Sequence, residues 1–154
     1  MFAYPERVSE ESESFIVQAS GVAIGARAVL IEGEPGAGKS SLALALIGRG
    51  AQLIGDDAVR LSRGEGDRAA RLIASPPPNI EGLIEVRGVG LITRALAPPT
   101  PLALVLSLTA RTERLPEVLD HRAWLGCSVP VLPFAPGTIA PAERALAALE
   151  LHGL

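Results

Sequence analysis

The chain has 154 residues, 48% of them hydrophobic, and a formal net charge of −3. That is enough apolar material for one cored domain and too little positive charge for a broad nucleic-acid face. The single cysteine, Cys127, excludes an internal disulfide and suits a reducing compartment as a small buried apolar residue.

Residues 1–14 are polar and acidic and read as a flexible lead-in to a single domain over 15–154. Glu6, Glu10, Glu11 and Glu13 stand where a secretory leader would be basic and then apolar, and the longest apolar run, 102–108, cannot span a bilayer. These features point to a cytoplasmic protein without membrane or nucleic-acid partners. Segments 15–19 and 22–24 read as strands, and 28–32 is a short apolar run of the buried-strand kind.

Next comes Gly33-Glu34-Pro35-Gly36-Ala37-Gly38-Lys39-Ser40, the GxxxxGK[ST] phosphate-binding pattern, and Lys39 is the only lysine beside thirteen arginines. Such a loop turns backbone N–H groups toward phosphate, places a compact ammonium on the β- and γ-oxygens and offers a hydroxyl to magnesium. Residues 41–49 are helix formers that stop at Gly50, so strand, glycine-rich turn and helix N-terminus follow in the order that aims a helix dipole at phosphate. The nucleotide contacts are therefore assigned to Gly33, Glu34, Pro35, Gly36, Ala37, Gly38, Lys39, Ser40 and Ser41.

Downstream, 51–54 reads as a strand leading into Gly55-Asp56-Asp57, and 58–62 with 69–74 as a hairpin around Gly64-Glu65-Gly66-Asp67. Phosphoryl transfer needs a magnesium ligand and a base for the acceptor hydroxyl, and two adjacent aspartates after an apolar strand can supply both. The run Ser75-Pro76-Pro77-Pro78-Asn79 reads as an exposed loop, 83–86 and 89–93 as strands around Arg87-Gly88, and 97–101 as irregular. Segment 102–108 is a buried strand, 129–134 an extended segment that Pro130 and Pro133 place at an edge, and 142–151 a closing helix entered through Pro141. His121 falls on a solvated loop between Asp120 and Arg122. Strands outnumber helices, giving an α/β fold built on a mixed sheet with few helices rather than alternating units.

The order of the loop, Arg49-Gly50, Gly55-Asp56-Asp57-Ala58-Val59 and Ile84-Glu85-Val86-Arg87-Gly88-Val89-Gly90-Leu91-Ile92 resembles the catalytic domain of HPr kinase/phosphorylase. The resemblance covers about residues 15–150, and Glu85-Val86-Arg87-Gly88-Val89-Gly90 is its specific part. It implies the HPr kinase/PEP carboxykinase-like fold in a short, alphaproteobacterial-type form that lacks the family's usual N-terminal domain. It also implies an ATP- and Mg²⁺-dependent serine kinase acting on HPr or a related phosphotransferase-system phosphocarrier, regulating carbon and nitrogen metabolism as a homo-oligomer, typically a hexamer. Under that resemblance Lys39, Asp56, Asp57 and Arg114 are catalytic, and Ser40, Asp56 and Glu85 lie at magnesium. Arg87, Gly88 and Gly90 shape the acceptor side.

Family members usually carry a histidine fifteen residues before the loop's first glycine, and that position here is Gln18. Glutamine cannot take up a proton near neutral pH, which puts the reverse, phosphorolytic reaction in question and leaves a catalytically altered, ATP-binding regulatory relative as the alternative. A small-molecule kinase ranks last, because the proline- and strand-rich downstream sequence lacks an arginine-rich lid.

Overall fold

A computed structural model of the chain describes residues 14–78, 80–111 and 114–154. Expectations for the acidic lead-in up to residue 13, and for Asn79, lie outside the described residues. Ser14, placed in the lead-in by sequence, already belongs to a strand paired with Ser62.

Two parallel neighbours form the spine. Strand β3 (Arg27–Glu32) and strand β9 (Thr100–Leu108) are the near-continuous apolar runs of the sequence, and both are buried on both faces, as parallel strands are. Prolines did not keep β9 from starting early: it begins at Thr100, inside the stretch expected to be irregular, with Pro101 opposite Ile73. Around this pair the described residues form a nine-stranded mixed sheet in the order β1-β5-β6-β9-β3-β2-β4, with β11 also on β9 and β10 on β11. The other strands are β1 (Ser14–Val17), β2 (Ser20–Ile24), β4 (Gln52–Gly55), β5 (Val59–Arg63), β6 (Leu72–Ser75), β10 (Asp120–Trp124) and β11 (Cys127–Phe134). The expected β5–β6 hairpin is present, with Arg63 opposite Leu72 and a short 3₁₀ turn at Gly66–Arg68 between them.

Period-two alternation divides the core. Val29 and Ile31 of β3 face one cluster with Leu104 and Leu106, while Ala28 and Leu30 face another with Leu102 and Val105. The parity of β9 changes between Ala103 and Leu104, where the ladder to β3 skips a residue at a bulge. The first cluster is covered by helix α1 (Lys39–Ile47), through Leu42 and Leu46, and by helix α2 (Pro141–His152), through Ala142, Ala145, Ala148 and Leu149. The second is closed by β5, β6 and β11, through Leu61, Leu72 and Val129.

A separate antiparallel pair, β7 (Leu83–Val86) and β8 (Gly90–Thr93), lies off the main sheet. Only Ile84 of β7 is fully buried, and it packs into the α1 cluster. By alternation its neighbour Glu85 points away from that core, so one isoleucine fixes where the acidic residue stands.

Two further sequence expectations are corrected. His121 sits in β10, opposite Pro130, although it is exposed as expected. Asp-His-Arg-Ala-Trp has no apolar alternation, and its hairpin turns on Leu125 (φ 53°) and Gly126 (φ 76°), a left-handed pair without an Asn-Gly signal. β11 is not an outer strand: residues 127–131 pair with β10 and residues 131–134 with β9. Each half of β11 thus has one side without a ladder partner, which is how Pro130 and Pro133 are accommodated without a donor.

Candidate active site

The phosphate loop leaves β3 at Glu32 and enters α1 at Lys39. Gly36 (φ 82°) and Gly38 (φ 104°) hold left-handed conformations that a side chain would strain. Ala37 N–H donates to the Glu34 carbonyl at 3.0 Å, and Leu42 N–H closes the first helical turn onto the Gly38 carbonyl at 3.0 Å. The Lys39 ammonium donates to the carbonyls of Gly33 (2.8 Å) and Glu34 (3.2 Å). These bonds fold the side chain back over its own loop and use two of its three donors.

Asp56 is the hub of the site. Its Oδ1 accepts from the hydroxyls of Ser40 (2.7 Å) and Ser20 (3.0 Å), and its Oδ2 faces the Glu85 backbone N–H at 3.4 Å. A tight turn aims it there: a Cβ on Gly55 would stand 2.0 Å from the Ala58 carbonyl oxygen, so only glycine fits before the two aspartates. Asp57 follows with φ 69°, a left-handed conformation that aspartate tolerates better than most residues. Asp56, Asp57, Glu85, Arg87, Lys39 and Ser40 line one cavity of about 460 Å³ together with Ser20, Ser41 and loop glycines.

The hydroxyl of Ser40 and the carboxylate of Asp56 are hard oxygen donors within 2.7 Å of each other. Magnesium takes one or two carboxylates, phosphate oxygens and several waters, not an all-protein cage. The donor set therefore fits magnesium held jointly with a nucleotide.

Arg114 and Gln18 are exposed, and neither is among the residues lining this cavity. Beyond Arg87, Gly88 (φ 77°) lies in the β7–β8 turn and Gly90 (φ 141°) opens β8. Ser20, absent from the sequence reading, is fully buried and donates directly to Asp56; a lone serine among alanine and glycine carries no signal in the sequence.

Behind the loop, Glu32 at the end of β3 receives both terminal nitrogens of Arg122, one of them at 2.8 Å. The guanidinium also lies 5.1 Å from the centre of the Trp124 ring. The Glu32 hydrogen bond holds the Arg122 pKa above the ordinary guanidinium value, against the opposing effect of burial. This pair ties the root of the phosphate loop to β10.

The family model for the HPr Serine kinase C-terminal domain matches residues 10–134. The chain belongs to the HPr kinase C-terminal domain family. The HPr kinase/phosphorylase of Clostridium tetani is 50% identical over 64 residues, covering 42% of this chain and 20% of that protein. The HPr kinase/phosphorylase of Geobacillus thermodenitrificans is 40% identical over 87 residues, covering 52% of this chain and 27% of that protein. The chain thus spans less than a third of the length of the curated relatives it matches. The Hpr(Ser) kinase/phosphatase of Coxiella burnetii superposes with a TM-score of 0.76 at 28% identity, over 90% of this chain and 95% of that one. Its fold is therefore that of an HPr kinase domain, the α/β mixed sheet with few helices expected from the sequence.

Proposed function

We propose that this HPr kinase domain transfers the γ-phosphate of ATP to a serine hydroxyl of HPr or a related phosphotransferase-system phosphocarrier. The observation that carries the reading is the Asp56 carboxylate, hydrogen-bonded to Ser40 at 2.7 Å and to Ser20 at 3.0 Å in the cavity that Lys39, Asp57 and Glu85 also line. Family membership and the superposition on the Coxiella protein support it.

The roles follow from chemistry. The loop backbone and Lys39 bind the β- and γ-phosphates, and Ser40, Asp56 and Glu85 would hold Mg²⁺. Magnesium, when bound, neutralises developing charge on the phosphoryl oxygens. Asp57, exposed at the cavity's mouth beside Asp56, takes the serine proton as the serine oxygen bonds to phosphorus and the bond to the β-phosphate oxygen breaks, leaving ADP. Arg87 lines the cavity and places a cation on the acceptor side. The role of Arg114 toward equatorial charge rests on the family resemblance. A homo-oligomer, a hexamer by the same resemblance, and a cytoplasmic setting complete the reading. No described helix is long and apolar enough to cross a membrane.

A second reading is favoured by Gln18: a nucleotide-binding regulatory relative that transfers no phosphate. Incubating the pure protein with γ-labelled ATP, magnesium and the host's own HPr-type carriers separates the two. Label on a carrier serine is expected; tight ATP binding with no label on any carrier would establish the regulatory relative instead.

A further inference from the structure

The root of the phosphate loop is acidic, which a loop for polyanions does not call for. The GxxxxGK[ST] pattern asks nothing of the residue before its first glycine. Here that residue is Glu32, the last of β3, and Glu34 follows inside the loop. Both line a cavity of about 640 Å³ between the loop and the segment from Ser107 to Ala110 that ends β9. Among the described residues, none that lines it carries a positive charge. Glu34 is exposed, so water screens it, whereas the Glu32 side chain is only 25% exposed and its field is screened less. Lys39, the one cation of the loop, is turned toward the Gly33 and Glu34 carbonyls. Left alone, Glu32 would repel the phosphates that Lys39 attracts.

Arg122 cancels that charge from outside the loop. Its two terminal nitrogens donate to the two Glu32 oxygens, one of them at 2.8 Å, the fork geometry that binds carboxylate best. β10 fixes the guanidinium in place. Residues 122 and 124 share a face by the strand's period of two, and the guanidinium lies 5.1 Å from the centre of the Trp124 ring. Trp124 in turn meets Phe15 of β1 edge-on, with ring centres 6.1 Å apart. The pair therefore leaves the root of the loop neutral, and the cation that does so comes from a strand outside the motif.

We propose that Arg122 is a positioning residue of the phosphate site that acts through Glu32, holding and neutralising its carboxylate so that the loop accepts a polyanionic phosphate chain. The proposal rests on the phosphate-site reading above and adds to it a charge the loop motif does not contain. The test is titration calorimetry of the full chain with magnesium and ATP. Arg122→Met uncovers the Glu32 charge and should weaken ATP binding on the order of tenfold at about 50 mM salt. At about 0.5 M salt, where screening acts within about 4 Å, the loss should shrink below about threefold. Arg122→Lys keeps the charge without the fork and should stay within about threefold of native. Glu32→Gln keeps an acceptor for Arg122 but leaves its cation in excess, and should tighten ATP binding about threefold or more at low salt. Adding it to Arg122→Met should bring affinity back within about threefold of native. A merely structural clamp gives the opposite sign for Glu32→Gln, since breaking the pair from either side would then weaken binding. Unchanged or weaker ATP binding by Glu32→Gln, or an Arg122→Met loss that is absent or indifferent to salt, would overturn the proposal. Should Arg122→Met fail to fold, the sign of the Glu32→Gln effect alone decides it. Failure of native protein to bind magnesium and ATP would instead remove the phosphate-site reading beneath it.

Discussion

Asp56→Asn isolates charge from shape at the hub of the site. The asparagine oxygen can still accept from Ser20 and Ser40, whose donors stand 3.0 and 2.7 Å from Oδ1. The amide nitrogen then faces the Glu85 N–H, donor against donor, across what is now a weak 3.4 Å contact. Losing one such contact costs about 0.5–1.5 kcal/mol, a fall in Tm of about 1–6 °C for a domain of this size. The chemical cost is far larger. On the proposed reading the carboxylate would hold magnesium and is the anion beside the base Asp57, and a positioned acid–base group contributes on the order of 10²–10⁴-fold. That corresponds to about 3–5 kcal/mol of transition-state stabilisation. Initial rates of γ-phosphate transfer to HPr, run beside scanning calorimetry, separate the two effects. A nearly native Tm with transfer reduced at least a hundredfold (about 2.7 kcal/mol) is expected. Transfer above about a tenth of the native rate would refute the reasoning, because the hydrogen bonds would then matter and the charge would not.

Lys39→Ala should abolish productive nucleotide binding and Lys39→Arg should not restore it, because a planar fork cannot replace a compact ammonium folded onto the Gly33 and Glu34 carbonyls; calorimetric titration with ATP checks both. Arg122→Met leaves the Glu32 carboxylate half-buried without its partner and should cost about 1–3 kcal/mol. Adding Glu32→Gln should recover part of that loss in denaturant unfolding, a non-additivity expected of contacting residues. Gln18→His should raise transfer of the phosphoryl group from the phospho-serine carrier to inorganic phosphate, which frees the serine hydroxyl and forms pyrophosphate, while the forward rate changes little. Efficient reversal by the native protein would show glutamine to be an adequate substitute.

What was legible in the sequence was contiguous. The glycine-rich loop, the aspartate pair and the β7–β8 signature are short runs whose Lys39, Ser40, Asp56, Asp57, Glu85 and Arg87 the fold gathers around one cavity, and β3 and β9 are apolar runs bounded by turn residues. β10 was not legible, because what makes it a strand lies elsewhere. Its register comes from β11, and the Arg122 pair reaches a glutamate 90 positions away in the chain. β11 could not be placed from its prolines alone, since each proline is tolerated by half-occupied pairing that only the assembled sheet reveals.

Ser20 and Arg144 show the same limit at the site. The strand order puts β2 between β3 and β4, with Ser20 opposite Ile31 on one side and Gly21 opposite Gly55 on the other. Ser20 therefore stands at the end of the sheet where β3 gives way to the phosphate loop and β4 to the aspartates. Its hydroxyl fills the gap between those two functional segments and delivers its hydrogen bond to Asp56. No spacing rule links residue 20 to residue 56; the antiparallel registers do. Arg144 is one residue off the buried stripe of Ala142, Ala145 and Ala148, which by pattern marks a solvent-facing side chain. It turns inward because the segment ahead of the helix offers carbonyls at Ala135, Pro136 and Ile139. Sequence motifs thus identify the groups that would touch phosphate, and the ladder registers and loop carbonyls decide which neutral or clamping residues hold those groups in place.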